Sequence, residues 1–353
     1  MTDGLRPSET SGLVTSSGYS TERKLGGVST DTSSAHKKDR SSARWLVNRL
    51  LQVPIVTVCV LLIVFILLRI VPGNPAVAIL GIHATPAAVA ELSREMHLNV
   101  PLPDQLWLFL RDAATGNLGT SLVDNVSTTS LIIPALGTTM MLTISSTIIA
   151  LFIGIPLGLI SGFTRTLAID ASIRSIAVTF LAIPAFLMGF VLLLVAALKF
   201  HLAPAGGWGS TFLGDIQYVW LPATALAVYL VPIVIRVVRQ STKQTLEQEF
   251  IEATIARGVS PARLAIRHVL PNSLLPLVAW LGLSVGGLIG GAVVIESIFN
   301  LPGVGSVLVT AVNNRDYPVI QGTTLVVAGL VILSNLGADL LSFAIDPRIR
   351  DAK

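Results

Sequence analysis

The chain has 353 residues, 52% apolar and only 12% charged, with a mean hydropathy of +0.75; that balance excludes an ordinary water-soluble domain and belongs to a polytopic membrane protein. Its net charge of +4 gathers beside apolar runs, which gives no support to nucleic-acid binding. A single cysteine, Cys59, excludes an intrachain disulfide and suggests no cysteine-based metal site.

In chain order, residues 1–44 are rich in Ser, Thr and Gly with mixed charges and read as a disordered tail, since they cannot bury enough apolar surface to offset ordering entropy. Residues 45–137 hold a first span and an external helical lobe. The lobe has one helix opened by Thr85 and Pro86, a break at Asn99 to Pro103, and an amphipathic stretch around Trp107 to Leu110. Residues 138–345 carry the remaining spans, with a polar loop at 240–274, and 346–353 close the chain. A spanning helix needs about 20 apolar residues. Six segments meet or approach that: 46–69, 138–161, 175–198, 219–237, 275–298 and 320–345. The expected class is all-α.

Of the 24 Lys and Arg residues, 19 fall in alternate inter-span segments that include both termini and the 240–274 loop, against 5 in the others. By the positive-inside rule both termini and that loop are cytoplasmic.

The loop runs Glu249-Phe250-Ile251-Glu252-Ala253-Thr254-Ile255-Ala256-Arg257-Gly258-Val259-Ser260-Pro261 and on to His268-Val269-Leu270-Pro271-Asn272. Its signals predict two short helices around a fixed corner: a first helix ending at Arg257, a left-handed Gly258, Ser260 as N-cap, Pro261 at the first helical position, and a stop at Pro271. Ile251, Ile255 and Ala262 are expected to supply the apolar face. The stretch resembles the EAA loop of ATP-binding-cassette (ABC) importer permeases, with Glu252, Ala253, Gly258, Leu270 and Pro271 at the motif's spacings. Thr254 replaces the second Ala of the motif.

Further segments resemble the first (B-type) permease subunit of oligopeptide, dipeptide and nickel importers, in the family's order. They are Arg69 to Pro75, Gly116-Asn117-Leu118-Gly119-Thr120-Ser121, Gly154-Ile155-Pro156-Leu157-Gly158, Ile183-Pro184-Ala185-Phe186, Leu202 to Gly207, Glu296 to Gly303, Asn314-Arg315-Asp316-Tyr317-Pro318 and Asp346-Pro347-Arg348. Asn74 and Asn117 stand where that family usually has Asp, which keeps a turn-forming role but not a charge.

Two glycine ridges accompany these motifs. Gly154, Gly158 and Gly162 in the second span allow close helix packing. Gly282, Gly286 and Gly290, with Gly287 and Gly291 beside them, serve packing or line a path wide enough for a peptide. The mid-span positions are uncharged, with Glu296 and Asp339 near span ends, which argues against ion-coupled transport. No metalloprotease, hydrolase or phosphate-loop motif occurs, and the five His residues lack paired metal-ligand spacing, so neither an enzyme nor a metal or other cofactor is expected.

The resemblance implies a type I ABC importer permease in a bacterial cytoplasmic membrane. It also implies a related C-type permease partner, two cytoplasmic ATP-binding subunits, an extracytoplasmic solute-binding protein and a peptide substrate. The coupling loop would meet the ATPases, and Pro302, Gly303, Arg315, Asp316 and Tyr317 are candidates for binding-protein docking. A channel or scaffold that binds a cytosolic partner through residues 240–272 is the rival reading.

Overall fold

A computed structural model describes residues 52–66, 75–80, 84–95, 98–209 and 211–345. The expected tail, the Arg69 to Asn74 turn, His83, His97 and the Asp346-Pro347-Arg348 motif lie outside these residues. The described residues form helices: α1 (Gln52–Ile66), α2 (Pro75–Leu80), α3 (Pro86–Glu95), α4 (Leu102–Ala114), α5 (Thr128–Phe163), α6 (Leu167–Ala182), α7 (Ala185–Leu192), α8 (Phe212–Leu246), α9 (Glu249–Ala256), α10 (Pro261–Leu264), α11 (Leu270–Ile298), α12 (Val304–Asn313) and α13 (Tyr317–Ile345). No strand occurs among them. The chain is all-α, as its sequence implies.

Thr128–Phe163, Gly214–Leu246 and Tyr317–Leu341 are long and apolar enough to cross a membrane. Two bent helix pairs raise the candidates to five, and α1 is a shorter apolar helix whose described part falls within the expected first span.

The expected third span, 175–198, is not one rod. It is α6 and α7 with a 94° bend between them. Pro184 is the cause: it disfavours helical backbone at Ile183, which sits at φ −86°, ψ 119°. Beyond α7 the chain continues as a π-helical stretch, Leu193–Lys199.

The fold is built on the pairing of α5 with α8. A Cβ added at Gly154 would come within 2.6 Å of Val234 Cγ1, one at Gly158 within 2.7 Å of Val238 Cβ, and one at Gly162 within 2.5 Å of Thr242 Cγ2. Spacing of four on both helices keeps these contacts in one seam, and a side chain in place of any of the three glycines would force the backbones apart. Around the seam lies the main core, including Leu142, Ala150, Leu226, Leu230, Leu277, Leu288 and Phe299. Buried hydroxyls along α5 turn back onto their own helix: Thr143 donates to Thr139 O at 2.8 Å, and Ser146 to Leu142 O. That satisfies them without water.

Glycines of α11 separate onto three faces. A Cβ at Gly282 would strike Ala338 Cβ and one at Gly286 would lie 3.0 Å from Val331 Cγ1, so both pack on α13. A Cβ at Gly291 would lie 3.0 Å from Leu226 Cδ1 of α8. Gly287 and Gly290 are exposed, and nothing lies within 4 Å of a Cβ at Gly290.

Candidate functional site

The loop after α8 folds into a corner. α8 ends at Leu246, Gln248 turns into extended backbone, and α9 follows. The Arg257 N–H donates to Ala253 O and the Gly258 N–H to Ile255 O, which satisfies two terminal carbonyls of α9. Gly258 has φ +77°, the left-handed cap expected of it. Ser260 stands at the N-cap of α10 with Pro261 at its first position, but the Ser260 hydroxyl makes no capping bond.

Two expectations for the corner fail. The helix does not stop at Pro271: residues Ala265–Val269 form a π-helical turn and α11 begins at Leu270 without a break. The Leu270 N–H reaches back five residues to Ala265 O, and this wider turn eases the clash of the Pro271 ring with the carbonyl four residues earlier. Nor do Ile255 and Ala262 form the buried face, since both are exposed. Ile251, Leu264 and Val269 form it instead, packed against Leu159 and Phe163 of α5, Leu246 of α8 and Val259.

This seating divides the corner into a fixed inner face and a free outer one. The outer face carries Phe250, Ile255 and Ile266, which are 43%, 54% and 67% exposed. Glu249, Glu252, Ala253, Arg257, Arg263 and Arg267 neighbour them along the chain, all exposed. Large apolar side chains within a charged rim are the composition of a protein-binding surface. Of the five motif residues, Glu252, Ala253, Gly258 and Pro271 are exposed and Leu270 is half-buried.

Beside the corner, Asp170 of α6 receives Arg239 Nε and Nη2 of α8, each at 2.6 Å, and the Ser161 hydroxyl of α5. Lys243 Nζ lies 3.4 Å away. One buried carboxylate thus ties three helices at the end where the corner sits. Sequence reading passed over Asp170; a lone Asp in the first turn of an apolar helix, with basic residues four apart elsewhere, was the available signal.

At the other end a second carboxylate is enclosed. Glu296 of α11 is fully buried; Thr139 Oγ1 donates to Oε1 at 2.6 Å, and the Gly305 and Ser306 N–H groups donate to Oε2 at 2.8 and 3.3 Å. The Val304 N–H donates to Thr139 Oγ1 at 2.9 Å. A carboxylate therefore caps the N-terminus of α12, where the helix dipole favours it. Cβ atoms at Gly303 or Gly305 would collide with that carboxylate.

The docking candidates separate accordingly. Asp316 is 3% exposed and its carboxylate accepts from the Ser121 hydroxyl and the Leu122 N–H, so it joins the loop before α5 to the start of α13. Gly303 is buried against Glu296. Burial removes both from any surface of the folded chain. Pro302 and Arg315 are exposed and Tyr317 is half-buried.

The scattered motifs meet in space. Ser121 and Gly119 of one motif touch Asp316 and Pro318 of another, and the Gly207 N–H donates to Phe299 O at 3.2 Å. The Asn117 side chain accepts from the Gly119 N–H at 3.0 Å, a turn that needs no charge.

Residues 154–351 match the family described as the binding-protein-dependent transport system inner membrane component, and residues 42–143 match the N-terminal membrane component of the same systems. The chain belongs to this family. Members with similar sequences include the dipeptide transport system permease protein DppB of Alkalihalophilus pseudofirmus, 34% identical over 329 residues, covering 87% of this chain and 99% of that one. The glutathione transport system permease protein GsiC of Pectobacterium atrosepticum is 33% identical over 308 residues, covering 87% and 98%. The fold is also that of a chain in an inward-facing MetNI methionine ABC transporter, with a TM-score of 0.51 at 18% identity, covering 61% of this chain and 96% of that one. This permease is thus an integral component of an ABC importer; a non-ABC channel or scaffold gains no support from these matches.

Proposed function

We propose that the permease forms half of the translocation path for di- or oligopeptides, paired with a related C-type permease, driven by two cytoplasmic ATPase subunits and supplied by a solute-binding protein. The carrying observation is the corner at 249–271. Its inner face is locked to the ends of α5 and α8, while its outer face presents apolar side chains in a charged rim. In this reading an ATPase grips Phe250, Ile255 and Ile266. Closure of the two ATPases then moves the corner as one body with the helices it is packed on, and the spans rock between inward- and outward-facing states. Both termini and the corner lie in the cytoplasm. Pro302, Arg315 and Tyr317 remain available for the binding protein. The peptide assignment draws on the relatives' substrates, dipeptide and glutathione.

The path itself follows the open stripe of α11. Gly287, Gly290, Val294 and Ser297 share one exposed helix face. Gly287, Gly290 and Ser297 within it are small and leave room for a substrate without a fixed chemical preference.

Copurification tests the central claim. Coexpressed partner ATPase subunits are expected to copurify with the wild-type permease and not with Glu252→Lys at normal permease levels. Equal recovery with both, and peptide-stimulated ATP hydrolysis unchanged by the substitution, would overturn the coupling role.

A further inference from the structure

A groove between α6 and α8 plays no part in the mechanism above. We propose that it binds an anionic phospholipid of the cytoplasmic leaflet, with the headgroup phosphate held by Arg174 and Arg236 and an acyl chain laid along Val178, Leu181 and Ile233. Those residues, with Arg239, line one open cavity of about 160 Å³. The two helices run antiparallel, since Asp170 at the start of α6 meets Arg239 and Lys243 towards the end of α8. The arginines therefore sit at one end of the groove and the aliphatic side chains at the other. Arg174 and Leu181 are seven residues apart on α6, about 10 Å along its axis, a span that carries a lipid from its phosphate into its hydrocarbon.

Charge decides the occupant. Four cations, Arg174, Arg236, Arg239 and Lys243, gather near the single carboxylate of Asp170, and Arg239 already takes both of its oxygens. Arg174 reaches Asp170 only at 3.9 Å, with its side chain 56% exposed. Arg236 lies over the Trp280 ring at 5.8 Å and pairs with no carboxylate among the described residues. Two guanidinium groups thus line the groove beside an apolar wall, with no carboxylate among the described residues closer to either than 3.9 Å. Val178 and Leu181 are 66% and 47% exposed, as side chains in contact with hydrocarbon are. Basic pockets between spanning helices on the cytoplasmic side attract anionic headgroups.

The site rests on the cytoplasmic placement of the 240–274 loop, which thiol labelling tests independently; the binding readout needs neither ATPase nor uptake, so its failure is distinct from failure of the importer reading. The full-length permease in detergent is titrated with dimyristoyl-phosphatidylglycerol or dimyristoyl-phosphatidylcholine and read by native mass spectrometry. Phosphatidylglycerol is expected to be retained in preference. Each arginine is expected to be worth about fivefold, so Arg174→Gln with Arg236→Gln should lower retention roughly 25-fold, towards the phosphatidylcholine level. Arg315→Gln, at the other end of the molecule, should leave it unchanged. Should the double variant fail to elute as a single species, Arg174→Gln alone is read for its fivefold loss. Equal retention of the two lipids, or retention unaffected by the arginine substitutions, overturns the proposal. So does full displacement of the lipid by glycerol 3-phosphate at equal concentration, which would mark a site for a soluble anion.

Discussion

Asp170 and Arg239 form a two-point ion pair between α6 and α8, with both nitrogen–oxygen distances at 2.6 Å. Gly162 packs against Thr242 one turn beyond Arg239, and Leu159 and Phe163 of α5 pack on the corner's buried cluster of Ile251, Leu264 and Val269. The pair, the glycine seam and the corner's core therefore share one end of the bundle. Motion imposed on the corner passes first to helices that are already tied together there.

Removing Arg239 leaves the Asp170 carboxylate buried and short of its main partner. Arg239→Ala is expected to destabilise the detergent-solubilised permease by about 3 kcal/mol, the cost typical of breaking a buried pair. Asp170→Asn combined with Arg239→Gln should recover part of that loss. Thermal unfolding of Asp170→Asn, of Arg239→Gln and of the double variant supplies the coupling between them; strictly additive losses would mean the pair is not a unit.

Glu296 makes a separate test at the opposite end. Glu296→Ala orphans the buried Gly305 N–H, at a cost of about 1–3 kcal/mol, and leaves the Thr139 hydroxyl only its long contact of 3.4 Å with Ala135 O. Glu296→Gln keeps one acceptor oxygen and should cost less. Limited proteolysis across residues 299–316 reports the result: faster cleavage in the Ala variant than in the Gln variant is expected, and identical protection in both would show that the carboxylate does not hold the start of α12.

Orientation is tested by thiol labelling. In a Cys59→Ala background, a cysteine at exposed Ser127 should react with a membrane-impermeant reagent in intact cells, and one at exposed Ser260 should not. Reaction at Ser260 from outside would reverse the topology on which the cytoplasmic corner depends.

Much of this architecture could be read from residue order because it depends on local signals. Gly258 before Val259-Ser260-Pro261 marks a left-handed cap in any context, and glycines four apart in α5 mark a close helix contact. Other features depend on partners far along the chain. Asp316 looks like a surface residue between Arg315 and Tyr317 until Ser121, 195 residues away, is brought to its carboxylate. Ile255 fits an apolar face by its spacing from Ile251, yet it stays 54% exposed because the buried cluster of Ile251, Leu264 and Val269 takes in only Ile251 from α9. The span at 175–198 looked continuous in composition, and only the backbone restriction imposed by Pro184 divides it.

The glycines of α5 and α11 should respond differently to enlargement. Gly158→Ala places a Cβ 2.7 Å from Val238 Cβ in a seam that cannot open without moving two helices. A loss of about 1–3 kcal/mol is expected, visible as a lower unfolding temperature. A Cβ at Gly290 meets nothing within 4 Å and the position is exposed, so with Gly290→Leu stability should hold while peptide uptake falls if that face lines the path. Wild-type uptake by Gly290→Leu would place the face against lipid.

Gly258 offers the cleanest test of the corner, because its substitution changes backbone preference and nothing else. Nothing beyond the chain neighbours lies within 4 Å of a Cβ at this exposed position, so Gly258→Ala introduces no clash; what Ala and Val both introduce is a left-handed φ of +77° on a residue that disfavours it. The strain is about 1–2 kcal/mol. A β-branched side chain tolerates that conformation worse than alanine, so the strain should rise from Ala to Val. The inner face, held by Ile251, Leu264 and Val269, should keep the corner attached to α5 and α8, and insertion should be normal because the site lies outside the spans. What relaxes instead is the angle between α9 and α10, and with it the relative positions of Ile255 and Ile266 on the outer face. Stimulated ATP hydrolysis in the reconstituted complex should therefore fall in the order wild type, Ala, Val, at equal permease levels. Asn, which visits the left-handed region more readily, should retain more activity than Val. Equal hydrolysis across all four residues at position 258 would show that the angle of the corner does not carry the coupling.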